Sequence, residues 1–397
     1  MNTHDIIAEG EQYLLHTYNR YQIVLDHGDG MYLYDTEGRR YLDFCAGIAV
    51  FALGYNNKEL NEAISRQLGK IVHTSNYFYN EPASEAARKL VTASGMKRVF
   101  FTNSGTEAVE GALKSALRYA YDRDGHGGHE IIAMRHSFHG RSLGALSVTM
   151  NDHYQDPFRP LLAGIKEAVF NDLESVRSAV TDKTCAIILE PVQGEGGIYP
   201  ADAQFLKGLR ELCDEKDILL IFDEIQCGMG RTGTMFACQR YGVKPDIMTV
   251  AKALGCGLPI GAFLTNDKAA SLKPGDHGST YGGNPLVCAA ASKIFDLYEE
   301  LDILENVRTT GEYLYETLER LAGSTDLIIA HRGIGFMQGL EFSVPVADVI
   351  KLAQAKGLVL INAGSNILRF VPPLICSKEN VDEMAAIMEE VLKDLNT

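Results

Sequence analysis

No Cys-x-x-Cys pair occurs in this 397-residue chain, although it carries eight cysteines. Cys45, Cys185, Cys213, Cys227, Cys238, Cys256, Cys288 and Cys376 are scattered, several of them inside apolar runs. A free thiol packs there as a small hydrophobe, so the pattern argues for reduced thiols and against a disulfide framework. No apolar run approaches the ~20 residues that a membrane span needs. No internal repeat, low-complexity tract or long linker occurs either. The opening MNTHDIIAEGEQYLLHTYNRYQ lacks a basic stretch followed by an apolar one, and it is too acidic for a transit peptide. The expectation is a cytoplasmic protein. Positive charge is also short: 37 Lys and Arg stand against 52 Asp and Glu, a net charge of -15. Nucleic acid and anionic membranes are thereby excluded as general partners, because affinity for phosphate arrays needs clustered Lys and Arg.

What is present is an ordinary globular composition, 46% hydrophobic and 22% charged, with length enough for two domains. Residues 1–20 read as a short helix, and residues 21–45 as small hairpins closed at Gly28-Asp29-Gly30 and Asp35-Thr36-Glu37-Gly38. From Asn57 the pattern changes. Lys58–Lys70 and Glu81–Ser94 have helical spacing, Arg98–Thr102 reads as a strand, and Ser104–Tyr121 as a long helix. Apolar runs at 131–134, 186–189, 218–222 and 247–250 follow, separated by helical segments. Such alternation predicts an α/β fold with a largely parallel sheet covered on both faces. After the helix starting near Asn284, strands at 327–330, 336–342, 358–361 and 367–370 interleave with helices at 346–355 and 378–393, suggesting a small α+β domain. The expected division is 1–57 packing with the small domain, 58–297 as the large domain and 298–397 as the small one.

The chemistry gathers in the stretch from Asp223 to Lys252. The run 218–222 delivers Asp223 and Glu224 at its end, and the run 247–250 delivers Lys252 into the turn Gly255-Cys256-Gly257. In α/β sheets ligands bind beyond the carboxyl ends of the strands, so an acid and an amine there suggest a pyridoxal phosphate site. Ser104-Gly105-Thr106-Glu107 opens a helix after a strand, where free amides and hydroxyls stabilise an anion; a plain capping box S-x-x-E is the competing reading. Phe138-His139-Gly140-Arg141 offers a stacking ring and a carboxylate-gripping Arg, against an incidental loop. Glu190 to Gly197 sets Glu190 and Glu195 in a rigid turn. Gln226 follows Asp223. Gly278 to Pro285, with Ser279 and Thr280, is another turn before a helix, and Arg369 ends a strand, where burial demands an acidic partner or an anionic ligand. His126, His129, His136 and His139 cluster in sequence, but DRDGHGGHE reads as a solvated loop, so no metal is expected.

Taken together, the chain resembles the class III, fold type I pyridoxal-phosphate aminotransferases along nearly its whole length. The resemblance rests on TYNRY, YLDF-x-AGIAV, HTSNYFYNEP, FFTNSGTEA, SFHGRSLG, EPVQGEGG, FDEIQCGMGRTG, AKALGCGLPIGA, HGSTYGGNP and LRFVPPL, in family order. It implies Lys252 as the Schiff-base lysine and Asp223 as partner of the pyridine nitrogen. It implies Ser104, Gly105 and Thr106 at the phosphate, Phe138 on the ring, and Glu224, Ile225 and Gln226 beside it. Thr280 would come from a neighbouring subunit, making a homodimer with shared active sites. Arg141 would bind the donor's carboxylate near Ser279 and Glu190; Arg369 would bind 2-oxoglutarate, with Glu195 covering it in the first half-reaction. One departure stands out: the family usually reads Asn-x-Leu-Gly-His where this chain reads Phe51-Ala52-Leu53-Gly54-Tyr55. Which ω-amino donor is used stays open. Two other classes also stay open, an aminomutase needing no external keto acid and a non-catalytic binding protein.

Overall fold

The structure, a computed structural model, describes residues 2–395. After an opening helix, Thr3–Tyr13, come three strands, β1 (Leu25–Asp29), β2 (Tyr32–Asp35) and β3 (Arg40–Asp43), joined by the two expected hairpin turns. The central region holds β4 (Arg98–Thr102), β5 (Glu130–Met134), β6 (Ile165–Ala168), β7 (Thr184–Leu189), the short β8 (Val192–Gln193) and β9 (Tyr199–Pro200), β10 (Leu219–Asp223), β11 (Ile247–Val250) and β12 (Gly261–Thr265). The last third holds β13 (Ile328–Ile334), β14 (Met337–Phe342), β15 (Leu358–Val359), β16 (Ile361–Ala363) and β17 (Ile367–Phe370).

Seven strands form the central sheet in the order β4-β12-β11-β10-β7-β5-β6, and only β12 runs against the others. The reversal has a topological cause. A parallel crossover needs roughly a dozen residues or more, whereas only residues 251–260 connect β11 to β12. The chain must therefore fold straight back. Alternate side chains of each strand enter opposite cores: Ile187, Leu189, Leu220, Phe222, Met248 and Val250 on one face, Ala186, Ile188, Leu219, Ile221 and Ile247 on the other. Both faces are thus covered, as continuous apolar strands require.

Two strands of the central sheet had not been anticipated, nor had the short pair β8 and β9. β6 is an edge strand with a single buried residue, Ala168, so it carries little apolar signal. β12 is masked by the glycine-rich turn before it. The run 358–361 is also not one strand. Leu358–Val359 pairs in parallel with β3, while Ile361 onward pairs antiparallel with β17. That split ties the N-terminal strands to the C-terminal region: β1-β2-β3-β15 is one sheet and β13-β14-β17-β16 the next. Among the described residues no helix is long and apolar enough to cross a membrane.

Candidate active site

A cavity of about 440 Å³ opens at the carboxyl ends of β4, β5, β10 and β11. Its wall includes Ser104, Gly105, Thr106, Phe138, His139, Arg141, Glu190, Asp223, Ile225, Gln226 and Lys252, so separate loops converge as expected.

At one end lies the start of the helix Gly105–Asp124. Ser104 caps it by accepting from the Glu107 amide at 3.3 Å. Glu107 reaches back to Asn103, accepting from its backbone N–H at 2.8 Å and its side-chain amide at 2.9 Å, rather than closing a reciprocal box with Ser104. The amides of Gly105 and Thr106 meet no acceptor among the described residues. Free first-turn amides at a cavity wall form an anion site. A Cβ on Gly105 would stand 2.9 Å from Ile225 Cδ1, so a larger residue there must displace that side chain.

At the other end Asp223 is buried and fully engaged on one side. Its Oδ1 accepts from the Ile225 amide and the Thr249 hydroxyl, each at 3.0 Å, and its Oδ2 from His139 Nδ1 at 2.7 Å. His139 Nε2 has no partner among the described residues. His139 was noted only within its loop and the dismissed histidine cluster, and Thr249 not at all, yet both fix the orientation of the carboxylate. Lys252 follows β11 in a left-handed conformation, φ 49°, and its ammonium donates no hydrogen bond among the described residues. Burial pushes its pKa down and Arg369 pushes the same way, while Glu195, Glu190 and Asp223 oppose them without reversing the direction. An amine so placed is neutral, hence nucleophilic, at lower pH than a surface lysine.

Glu190 is buried at the floor and accepts from the amides of Phe138 and Gly194, each at 3.0 Å. Burial pushes its pKa up to about 7. Its carboxylate therefore sets the ring of Phe138 and the turn that carries Glu195. Glu195 and Arg369 form a two-pronged pair, with Nη1 to Oε1 at 2.5 Å and Nη2 to Oε2 at 3.3 Å. Gln226 joins them, accepting from Arg369 at 3.0 Å and donating to Glu195 at 3.4 Å. Burial alone would raise the Glu195 pKa, but the charges of Arg369 and Lys252, with hydrogen bonds from Arg369 and Gln226, bring it below the usual value. Arg141 is exposed at the rim. Its guanidinium lies 4.0 Å from the Tyr154 ring centroid and 5.4 Å from that of Phe138, and no carboxylate pairs with it among the described residues. Tyr154 is a further residue that sequence did not indicate.

Five expected residues do not line this chain's cavity: Glu195 and Arg369, paired as above, and Glu224, Ser279 and Thr280, the last expected to serve a neighbouring subunit. Glu224 points away from the cavity: its carboxylate accepts from the amides of Ala237 and Cys238, each at 2.7 Å, at the start of the helix Ala237–Tyr241. The physical reason is the two-residue period of a strand, which turns neighbours to opposite sides. Ser279 meets Asn103 and the Gly282 amide, at 3.2 and 2.9 Å, rather than Arg141. Thr280 is exposed and does not line the cavity of its own chain. The departing residues are accommodated close by. The Tyr55 hydroxyl donates to buried Asp43 at 2.6 Å, and a Cβ on Gly257 would stand 2.8 Å from the Phe51 ring. The four histidines do not share one point: His126 and His129 stack with ring centroids 5.2 Å apart, while His139 bonds Asp223. His129 meets Asp124 at 2.8 Å, and among the described residues no metal-type cluster of three or more forms.

The family model for class-III aminotransferases matches residues 13–392. The chain belongs to that family. Relatives include the acetylornithine aminotransferase of Methanocaldococcus jannaschii, 47% identical over 97% of each chain. That of Clostridium acetobutylicum is 46% identical over 96% of this chain and all of its own. Among solved structures, N-acetylornithine aminotransferase from Stenotrophomonas maltophilia superposes with a TM-score of 0.84 at 37% identity, covering 98% of this chain and 99% of that one. Ornithine aminotransferase from Toxoplasma gondii superposes at 0.96 and 29% identity, covering 100% and 96%. Another structure of that Toxoplasma enzyme has partial occupancy of PLP at the active site. The family's cofactor is pyridoxal 5′-phosphate, and the residues here fit it. Two free amides at a helix start, the carboxylate-bearing Asp223 and the amine-bearing Lys252 all line the one cavity.

Proposed function

We propose that the chain moves the terminal amino group of N2-acetyl-L-ornithine to 2-oxoglutarate, giving N-acetyl-L-glutamate 5-semialdehyde and L-glutamate, in arginine biosynthesis. The observation that carries this is the Glu195–Arg369 pair beside the amine of Lys252. A donor presenting a terminal amine and an acceptor presenting an α-carboxylate must share one pocket. A buried Arg that a carboxylate can cover or uncover lets them do so. The donor's identity is taken from relatives of that name at 46–47% identity.

In this reading Gly105 and Thr106 hold the cofactor's phosphate, Phe138 covers its ring, and Asp223, oriented by His139 and Thr249, pairs with the ring nitrogen. Gln226 and Ile225 line the remaining wall. When bound, pyridoxal phosphate supplies a carbonyl carbon for the amine and a ring that accepts electrons. The chain's own residues do the rest. Lys252 Nζ, whose pKa burial lowers, takes a proton from the carbon bearing the donor's amino group. Arg141 holds the donor's carboxylate at the rim. Glu195 masks Arg369 while the donor is present, then swings aside and frees the guanidinium for the α-carboxylate of 2-oxoglutarate.

The same reading extends to assembly. Tyr77, Phe78 and Tyr79 are 93%, 70% and 103% exposed, and Tyr281 62%. Asn76 ties this patch to the turn carrying Thr280 through bonds to the carbonyls of Ser279 and Gly282. Such a contiguous aromatic patch supports an interface with a second copy, across which Thr280 reaches the neighbour's phosphate and Ser279 its donor. We assign the enzyme to the cytoplasm, divided at residues 57 and 297. Half-reaction rates with acetylornithine, ornithine, succinylornithine and 4-aminobutyrate test the donor. A faster reaction with any of the other three overturns the assignment.

A further inference from the structure

The hydroxyl of Thr106 stands at the anion site, but its hydrogen bonds are already committed. Ser142 Oγ lies 2.6 Å from Glu110 Oε1. An ionised carboxylate only accepts, so the single Ser142 hydroxyl proton goes to Glu110. Thr106 Oγ1 lies 2.8 Å from the same Ser142 oxygen. Since Ser142 has no second proton, Thr106 must donate. Its two lone pairs receive the amides of Arg141 and Ser142, each at 3.2 Å. One proton given and two accepted exhaust a hydroxyl.

The backbone around this chain of bonds is fitted to it. Glu110 Oε1 also accepts from the amides of Gly144 and Ala145, at 3.0 and 3.2 Å. A Cβ on Gly144 would stand 2.2 Å from Glu110 Oε2, and one on Gly140 2.3 Å from Thr106 Oγ1. Gly140 has φ 139°, a region that L side chains rarely adopt. The loop from Gly140 to Ala145 is thus seated on the first two turns of the helix Gly105–Asp124, and it carries Arg141 at its exposed bend.

We propose that Glu110, Ser142 and Thr106 are positioning residues that hold Arg141 over the cavity, and that Thr106 meets the cofactor's phosphate through its amide alone. The proposal rests on the reading of Arg141 as the contact for the donor's carboxylate. Neither Glu110 nor Ser142 lines the cavity, so their effect is indirect. A side chain of this kind alters the placement of a binding group rather than the chemistry.

The test uses the cofactor-loaded enzyme. Ser142→Ala and Glu110→Ala are expected to raise the KM for acetylornithine about tenfold, the scale of one hydrogen bond to a charged group. The KM for 2-oxoglutarate and kcat should stay at wild-type values, and Ser142→Thr should restore the donor KM. Thr106→Val should raise the donor KM alike, leaving the dissociation constant of pyridoxal phosphate, followed by absorbance titration, near that of Thr106→Ser. Should Glu110→Ala fail to fold, Ser142→Ala, which removes one oxygen atom, carries the same measurement. An unchanged donor KM in Ser142→Ala overturns the proposal. So does a Thr106→Val variant that loses cofactor affinity instead of donor affinity. A wild-type enzyme that transfers no amino group from acetylornithine overturns the functional reading beneath it, and the two failures are told apart in the same assay.

Discussion

Replacing Glu195 by Gln probes the covered guanidinium most directly. The substitution keeps the shape of the side chain and removes its charge. Arg369 is almost fully buried, its side chain 3% exposed against 24% for Glu195, so water does little to screen the pair. On the proposed reading, the keto acid's carboxylate must displace in the wild type a carboxylate already bonded through both prongs. A hydrogen bond to a charged group contributes about 1.5–3 kcal/mol, and each ~1.4 kcal/mol is tenfold in affinity. Glu195→Gln is therefore expected to lower the KM for 2-oxoglutarate by about ten- to a hundredfold. It should also let α-amino groups react, since their neighbouring carboxylate now finds Arg369 free. The guanidinium keeps Gln226 and the Asn362 carbonyl as acceptors, at 3.0 and 3.2 Å, so the fold should hold. Because the reaction runs in two separable halves, steady-state rates at varied donor and acceptor give each KM independently. Product analysis on ornithine, which carries both an α- and a terminal amine, reads the regiochemistry. An unchanged or raised KM for 2-oxoglutarate, with transfer still confined to the terminal amine, would refute the gating argument.

Three further outcomes follow from the site. Gly105→Ala should weaken cofactor binding at least tenfold, because its Cβ meets Ile225 and withdraws the loop from the ligand; absorbance titration checks it. In the cofactor-free protein, Lys252 binds its proton less tightly folded than unfolded, because burial and Arg369 outweigh its acidic neighbours. Between the depressed folded pKa and the ordinary value of 10.5 the unfolded state holds more protons, so stability rises with pH across that window. Lys252→Met should flatten that rise in urea unfolding curves. Glu224 has the opposite sign: burial lifts its pKa from 4.5 to about 7, so the folded state holds more protons there. Its share of stability falls as pH increases through that interval, and Glu224→Gln should make the fall shallower, read from urea midpoints at pH 5, 6 and 7.

Most of the large sheet was legible because buried parallel strands advertise themselves as apolar runs. The ends of 218–222 and 247–250 therefore led straight to Asp223 and Lys252. His139 was not legible for a different reason. It follows β5 and reaches Asp223, which ends β10, and β7 lies between them in the sheet. Strand order is set by packing, and no local pattern reports it. Tyr154, sixteen positions after Phe138, joins the same rim through a short helix whose placement is likewise tertiary. Glu224 was the avoidable case. If Asp223 faces the cavity at the end of a strand, period-two alternation turns its neighbour away.

The antiparallel strand β12 shows what an invisible element can decide. Had the chain crossed over after β11, Lys252 would begin a long connection to a distant strand. Instead the ten residues 251–260 return at once, and Lys252 is pinned in a turn beside the strand that bears Asp223. Asp223 lies opposite Thr249, three residues before the lysine. Neighbouring strands stand about 4.8 Å apart, so Asp223 and Lys252 leave adjacent strands into the same cavity. The left-handed backbone at Lys252, φ 49°, costs about 1–3 kcal/mol where nothing holds it. Here the tight return holds it, with Gly255 pressed against the Leu258 carbonyl and Gly257 against Phe51. The same Phe51 departs from the usual family pattern, so the unusual N-terminal segment packs directly on the turn that follows the lysine.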